Sequence, residues 1–168
     1  MRNSPKVLII KHGSLGDLIQ ANGAIKDIKN SNPNSKVLLL TSQKYLEFMS
    51  ACPYIDGVIL DKRLPRWNFV YLYNLKKLLK KYNFTKVFDL QNSSRTKFYK
   101  KYLLKKPVWS SSETSLEKWE KLSEFNQESV LSRMEKQLEK SGIRIKNTKE
   151  INLSWSIYDI SRNLKQYT

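Results

Sequence analysis

Residues 6–28 read KVLIIKHGSLGDLIQANGAIKDI, and this stretch decides the fold. Val7 to Ile10 is a short unbroken apolar run, the pattern of a strand buried on both faces. After the turn, Leu15, Leu18, Ile19, Ala21, Ile25 and Ile28 fall close to one face of a helix. The turn itself, KHGSLGD at 11–17, holds two of the chain's five glycines, which implies a close backbone approach or a position of positive φ. Ser14-Leu-Gly-Asp17 also satisfies the capping-box pattern, so a purely structural reading of these residues stays open. A strand that runs through a glycine turn into a helix aims backbone N–H groups and a helix dipole at one spot. Such a spot suits an anion or a positioned reacting group.

The same unit recurs outward from this point. SNPNS at 31–35 ends the first helix and KVLLL at 36–40 repeats the strand. Gln43 to Ala51 reads as a short helix stopped near Pro53, and DGVIL at 56–60 as a third strand feeding the basic stretch LDKRLPRW. From Val70 to Tyr82 a helix is expected to turn Leu72, Leu75, Leu78 and Leu79 inward and Lys76, Lys77, Lys80 and Lys81 outward. TKVFDL at 85–90 is a fourth strand, Ser93 or Ser94 caps a helix reaching about Leu104, and PVW at 107–109 is a fifth, edge strand. SSSETS at 110–115 reads as a loop or hinge, and a mixed-charge helix from Gln127 to Ser141 ends at Gly142. Strands separated by helices imply an α/β fold: a Rossmann-like parallel sheet with helices on both faces. Residues 1–150 form that domain. Ligands of such sheets lie outside the carboxyl ends of the strands, which points to the loops at 11–17, 61–67 and 89–95.

The turn at 11–17 is neither a Walker loop, because Asp17 stands where that motif needs lysine, nor a dinucleotide fingerprint, because Gly13 and Gly16 are its only glycines. Cys52 is the sole cysteine, so no disulfide can form within the chain and no Cys/His cluster suggests a metal. The opening apolar run is too short for a signal-peptide core or a membrane span, and a cytoplasmic location is expected. Net charge is +16, and it is concentrated: residues 62–106 carry fourteen Lys and Arg against the single acid Asp89. A solvated face usually mixes signs, so this segment is expected to meet an anionic partner.

VLIIKHGSLGDLIQANGAIKDIK resembles the opening of glycosyltransferase family 9, the heptosyltransferases of lipopolysaccharide core synthesis. Val87-Phe-Asp-Leu-Gln91 is similar to the family's later strand ending in Asp-Leu-Gln, and YIDGVILDKRLPRW is a softer match to its basic loop. The resemblance spans roughly residues 6–105. It implies the N-terminal half of a GT-B fold, the half that takes the acceptor, in an enzyme that moves a sugar from a nucleotide donor with inversion and without a metal. Asp17 is implied as the general base, with Ser14 and Gly16 shaping its loop. An inner-core acceptor carries carboxylates and phosphates, so Lys62, Arg63 and Arg66 become the expected acceptor contacts, the arginines favoured by their forked geometry. Gln91 and Asn92 are expected to reach acceptor hydroxyls, although Asn92 is equally a turn residue. Asp89 is expected to be structural, His12 packed or solvent-facing more readily than ligand-binding, and Trp67 and Trp109 packing residues. Lys76, Lys77, Lys80, Lys81, Lys97, Lys100 and Lys101 would attract anionic lipid at the inner face of the bacterial inner membrane.

No second set of strand-turn-helix signals follows Gly142, and residues 151–168 read as the approach to a donor-binding domain. That missing domain would hold the nucleotide sugar, ADP-heptose by the resemblance, so no cofactor is expected here. A separate donor-domain chain is a possible partner, and the chain by itself is expected to be inactive. Two alternatives compete: a catalytically inactive binding half, and a basic nucleic-acid-binding module, for which Gly13-Ser-Leu-Gly16 echoes a KH-type GxxG loop. The preceding strand and the acid Asp17 argue against the latter, and no nucleic acid is expected.

Overall fold

The computed structural model describes residues 4–117, 120–125 and 127–156. Five strands, β1 (Lys6–Ile10), β2 (Lys36–Ser42), β3 (Gly57–Asp61), β4 (Lys86–Asp89) and β5 (Val108–Ser110), form one sheet in the order β3-β2-β1-β4-β5. Every pairing is parallel. The longer helices are α1 (Leu15–Ser31), α3 (Phe69–Tyr82), α4 (Ser94–Tyr102) and α7 (Val130–Lys140), joined by the short α2 (Leu46–Ser50), α5 (Ser112–Ser115) and α6 (Leu122–Phe125). The Rossmann-like architecture expected from the sequence is the one present.

The register shows why the strands are apolar throughout. Leu8 lies between Leu38 and Val87, and Ile9 between Leu39 and Phe88. Alternate residues point to opposite faces. Val7, Ile9, Val37, Leu39 and Phe88 pack under α1 and α7, against residues such as Leu18, Ile25 and Leu138. Leu8, Ile10, Leu38, Leu40 and Val87 pack under α3 and α4, against Leu72, Leu75, Leu79 and Tyr99. Both faces are covered, so neither polar residues nor alternation would serve in the central strands.

From β1 the chain builds β2 and β3 to one side, then returns to place β4 and β5 on the other. The strand order therefore reverses between β1 and β4, and the crevice beyond their carboxyl ends is where such sheets take ligands. A strap, residues 146–152, crosses the middle of α1. Buried Asp27 holds it through the N–H groups of Lys146 (3.0 Å), Asn147 (2.8 Å) and Thr148 (2.8 Å) and the side chains of Asn147 and Thr148. Gly23 leaves room for it, because a Cβ there would sit 1.9 Å from the Asn147 carbonyl oxygen. Asn22 Nδ2 donates to the Asn152 carbonyl at 2.5 Å, so residues 151–152 stay on this surface; residues 157–168 lie outside the described ones.

Three expectations are corrected. In α3 it is Tyr71 that turns inward with Leu72, Leu75 and Leu79, while Leu78 is partly exposed. The helix is phased by the Tyr71 hydroxyl, which donates to buried Asp61. The serine-rich segment is no hinge, for Ser110, Ser111, Ser112 and Ser115 are buried and α5 is anchored by the Ser112 N–H to Asn92 Oδ1 at 2.7 Å. Trp67 packs against nothing that hides it and is 75% exposed, whereas Trp109 is buried with its Nε1–H on the Leu104 carbonyl at 2.9 Å. Helix boundaries otherwise differ by up to three residues, the largest differences being α7 starting at Val130 rather than Gln127 and α2 at Leu46 after a 3-10 turn over Gln43–Tyr45, and Gly142 takes the positive φ of +75° that ends α7.

Candidate functional site

The switch-point crevice is built from the loops after β1, β3 and β4. In the first, Gly13 supplies the positive φ of +93°, and a side chain there would strike the Tyr45 ring. Gly16 differs: its φ is ordinary for a helix, and an added Cβ would meet only Ser14 Oγ at 4.0 Å. The fold requires the first glycine and not the second. Ser14 caps α1, and Asp17 reaches back to accept from the Ser14 N–H (2.8 Å) and hydroxyl (3.1 Å). The capping box is therefore real. It does not consume the carboxylate, whose side chain is 38% exposed with Oδ1 facing Lys11 Nζ at 3.9 Å.

Lys11 is itself buried, its Nζ donating to the Leu90 carbonyl at 3.0 Å. Burial pulls its pKa below the ordinary lysine value, and Asp17 and Asp89 act in the opposite direction. The ammonium thus ties the β1 loop to the β4 loop beneath the crevice. A second tie is Gln91, whose Oε1 accepts the His12 backbone N–H at 2.9 Å.

Behind this floor lies a buried hub that the sequence reading did not find. The Asp61 carboxylate, at the end of β3, accepts from His12 Nε2 (2.8 Å), the Tyr99 hydroxyl (2.7 Å), the Tyr71 hydroxyl and the Arg63 N–H (2.8 Å). Burial alone would raise its pKa; the hydrogen bonds from His12, Tyr71, Tyr99 and Arg63 outweigh that and lower it to about 2. Burial and the neighbouring carboxylate push the Tyr99 phenol up to about 12, and burial with the same hydrogen bonding raises Tyr71 too. His12 is a packed residue, as one of its sequence readings held, and its Nδ1 is buried without a partner among the described residues.

The hub shapes the basic loop. Arg63 adopts a left-handed φ of 51°, held by its N–H on Asp61, and the Arg95 guanidinium donates to the Leu64 carbonyl at 3.0 and 3.1 Å. A non-glycine residue in this conformation costs on the order of 1 kcal/mol and persists where its surroundings impose it. Lys62, Arg63 and Arg66 all point to solvent, with Arg66 over the Phe98 ring at 5.9 Å.

The β4 loop is mostly self-supporting. Asp89 is buried and accepts from the Gln91 and Asn92 N–H groups at 3.0 and 2.9 Å, the structural role expected of it. Burial raises its pKa despite those bonds. Asn92 has φ of 48° and spends both ends of its amide on the protein, Nδ2 on Gln137 Oε1 (3.0 Å) and Oδ1 on Ser112. The turn reading of Asn92 thus describes it better than the acceptor-contact one, and Gln91 has one amide end already committed. Of the three aspartates along this edge, Asp61 and Asp89 are buried and Asp17 alone meets solvent.

A parallel sheet with its crevice at the reversal, one partly exposed carboxylate at a helix N-terminus and an exposed cationic loop along the same edge define a Rossmann-like α/β domain. Solved structures of glycosyltransferase family 9 share this fold, in keeping with the resemblance in the sequence. The Escherichia coli heptosyltransferase WaaC with ADP-2-deoxy-2-fluoro heptose superposes with a TM-score of 0.64 at 16% identity, covering 89% of this chain and 52% of that one. A family 9 glycosyltransferase from Veillonella parvula gives 0.57 at 18%, covering 64% and 31%. Over 58 residues the chain is 38% identical to a Haemophilus influenzae protein provisionally named a glycosyltransferase, 34% of this chain and 17% of that one. The chain thus spans about half or less of the length of these relatives. No family model matches it.

Proposed function

We propose that this chain is the acceptor-binding half of an inverting, metal-independent GT-B glycosyltransferase that moves a heptose or related sugar from a nucleotide donor to lipopolysaccharide core. The observation that carries this reading is the contrast among the edge aspartates: Asp17 alone offers a carboxylate to the crevice. Its orientation is fixed by Ser14 on one oxygen and by Lys11 beside the other. An acceptor hydroxyl within hydrogen-bond reach would pass its proton to Asp17 as its oxygen attacks the anomeric carbon and the nucleoside diphosphate leaves from the opposite side. A donor-binding half, in the same protein or a second chain, supplies the nucleotide sugar, ADP-heptose by the name of the similar Escherichia coli ADP-heptose LPS heptosyltransferase II.

Lys62, Arg63 and Arg66 take the acceptor's carboxylates and phosphates, with the strained Arg63 pre-aimed by the hub rather than ordered on binding. Gly16 is left bare where an acceptor would pass the start of α1. Ser14 and Gln91 frame the approach, and Asn92 holds the wall behind it. The protein would work on the cytoplasmic side of the inner membrane, where such an acceptor is anchored.

Binding of this chain to a deacylated, phosphorylated inner-core saccharide, beside single-stranded RNA at matched salt, tests the reading. Core-selective binding that falls at least tenfold in the Arg63→Ala/Arg66→Ala double variant is the expected result. Salt-sensitive RNA binding with no core preference would instead establish the nucleic-acid module.

A further inference from the structure

The solvent face of α3 is divided along its length. Its first two turns expose Phe69 (78%), Val70 (72%) and Tyr73 (66%), with Trp67 (75%) just before them. The following turns carry Lys76, Lys77, Lys80 and Lys81 along the same side of the helix. On the near side of the tip stand Lys62, Arg63 and Arg66. No acidic residue occurs from 62 to 88, and Asp89 is buried. Single exposed apolar residues need no explanation, but four contiguous ones, three of them aromatic and all hemmed by cations, do. Beside them an open groove of about 310 Å³ runs between the basic loop and α3, its apolar lining including Leu60, Leu64, Val70 and Leu78.

We infer that this tip docks on an anionic bilayer surface, Trp67, Phe69, Val70 and Tyr73 entering the headgroup boundary while the flanking Lys and Arg pair with lipid phosphates. The occupant follows from complementarity. Aromatic rings with a polar edge favour the membrane interface, and an acid-free cationic surround attracts anionic lipid while disfavouring burial against an ordinary protein surface of mixed charge. Among the described residues no helix is long and apolar enough to cross a membrane, so the contact is peripheral. It rests on the proposed function only for which membrane is met. It adds a geometry: the tip adjoins the Lys62–Arg66 loop, so docking would set that loop at headgroup height, where a lipid-anchored acceptor presents its first sugars.

Flotation with vesicles of phosphatidylcholine alone and with 30% phosphatidylglycerol tests this, in chain carrying no saccharide. Partition onto the anionic vesicles should exceed the neutral ones by at least about tenfold. It should fall about tenfold or more in Trp67→Ser/Phe69→Ser/Tyr73→Ser, whose exposed positions leave the core untouched. Lipids brominated along their chains should quench tryptophan emission, and Trp67→Phe alone should remove most of that quenching, a check that holds if the triple variant does not fold. Anionic-vesicle binding that ignores the aromatic substitutions and shows no quenching would overturn insertion, as would absence of vesicle binding. Because the vesicles hold no core saccharide, this outcome and that of the saccharide assay are read independently.

Discussion

Asp17, in the first turn of α1, and Asp61, at the end of β3, stand at the same edge of one sheet, and they are opposites. Asp61 is fully buried and accepts from four donors contributed by four parts of the chain; Asp17 is partly exposed, hydrogen-bonded to the serine three residues before it and faced by Lys11 at 3.9 Å. The first carboxylate has no lone pair left for a ligand, and the second has little else to do. A charge saturated by its own protein builds the site, whereas a charge left open toward the crevice is available for chemistry.

Separating the two in the laboratory starts with the largest effect. In a form of the protein that carries a donor-binding half, Asp17→Asn should lower turnover by about a thousandfold or more, within the general-base range and what its lost orientation adds. Acceptor binding should persist, and thermal stability should move by less than about 1 kcal/mol. Normal turnover in this variant would remove Asp17 from the chemistry and with it half of the comparison.

Asp61→Asn should do the reverse, costing about 2–4 kcal/mol of stability, since it exchanges a carboxylate with four donors for an amide that must orient one N–H₂ among them. Urea unfolding measures it. The pH dependence sharpens the point. The folded pKa of about 2 lies below the ordinary carboxylate value, so the Asp61 contribution is fully present above about pH 4 and is lost as pH falls toward 2. It amounts to about 2 kcal/mol, and the stability gap between wild type and Asp61→Asn should narrow by that amount over this window. A gap independent of pH would mean that the hub is not ionised in the native state.

The smallest effect concerns Gly16. Alanine there meets no protein atom closer than 4.0 Å, so stability should rise by up to about 1 kcal/mol. If acceptor affinity drops at the same time, the glycine is kept for the ligand. Gly13→Ala should only destabilise, because both its φ and Tyr45 oppose a side chain.

The same contrast explains what the sequence disclosed. The five strands and the glycine turn were legible because each is a local pattern, and the Ser14–Asp17 capping box because its partners lie three residues apart within one motif; a role for Asp17 in chemistry is implied by the family resemblance. The hub was not, because its side-chain donors His12, Tyr71 and Tyr99 lie 10 to 49 residues from Asp61 and no spacing rule links them. The available clue was chemical: β3 ends in an acid, and α3 carries Tyr71 among leucines on its inner face. Leu78 was misplaced for that reason. The serines of 110–115 looked like a hinge because their partners, Gln137 and Asn92, are distant in sequence. Trp67, expected as core or loop packing, is exposed, because its place relative to the sheet depends on the fold of the β3 loop and not on any local pattern.

The strap across α1 bears on how this chain reaches its native state. Each bond between Asp27 and residues 146–148 closes a loop of about 120 residues, so its entropy cost is met only once the sheet has already gathered the chain. The strap should be the last element to settle during refolding and the first to lose amide protection in hydrogen exchange. The strap lies across the middle of the helix whose first turn holds Asp17, so its local opening is expected to leave the residues of the crevice in place.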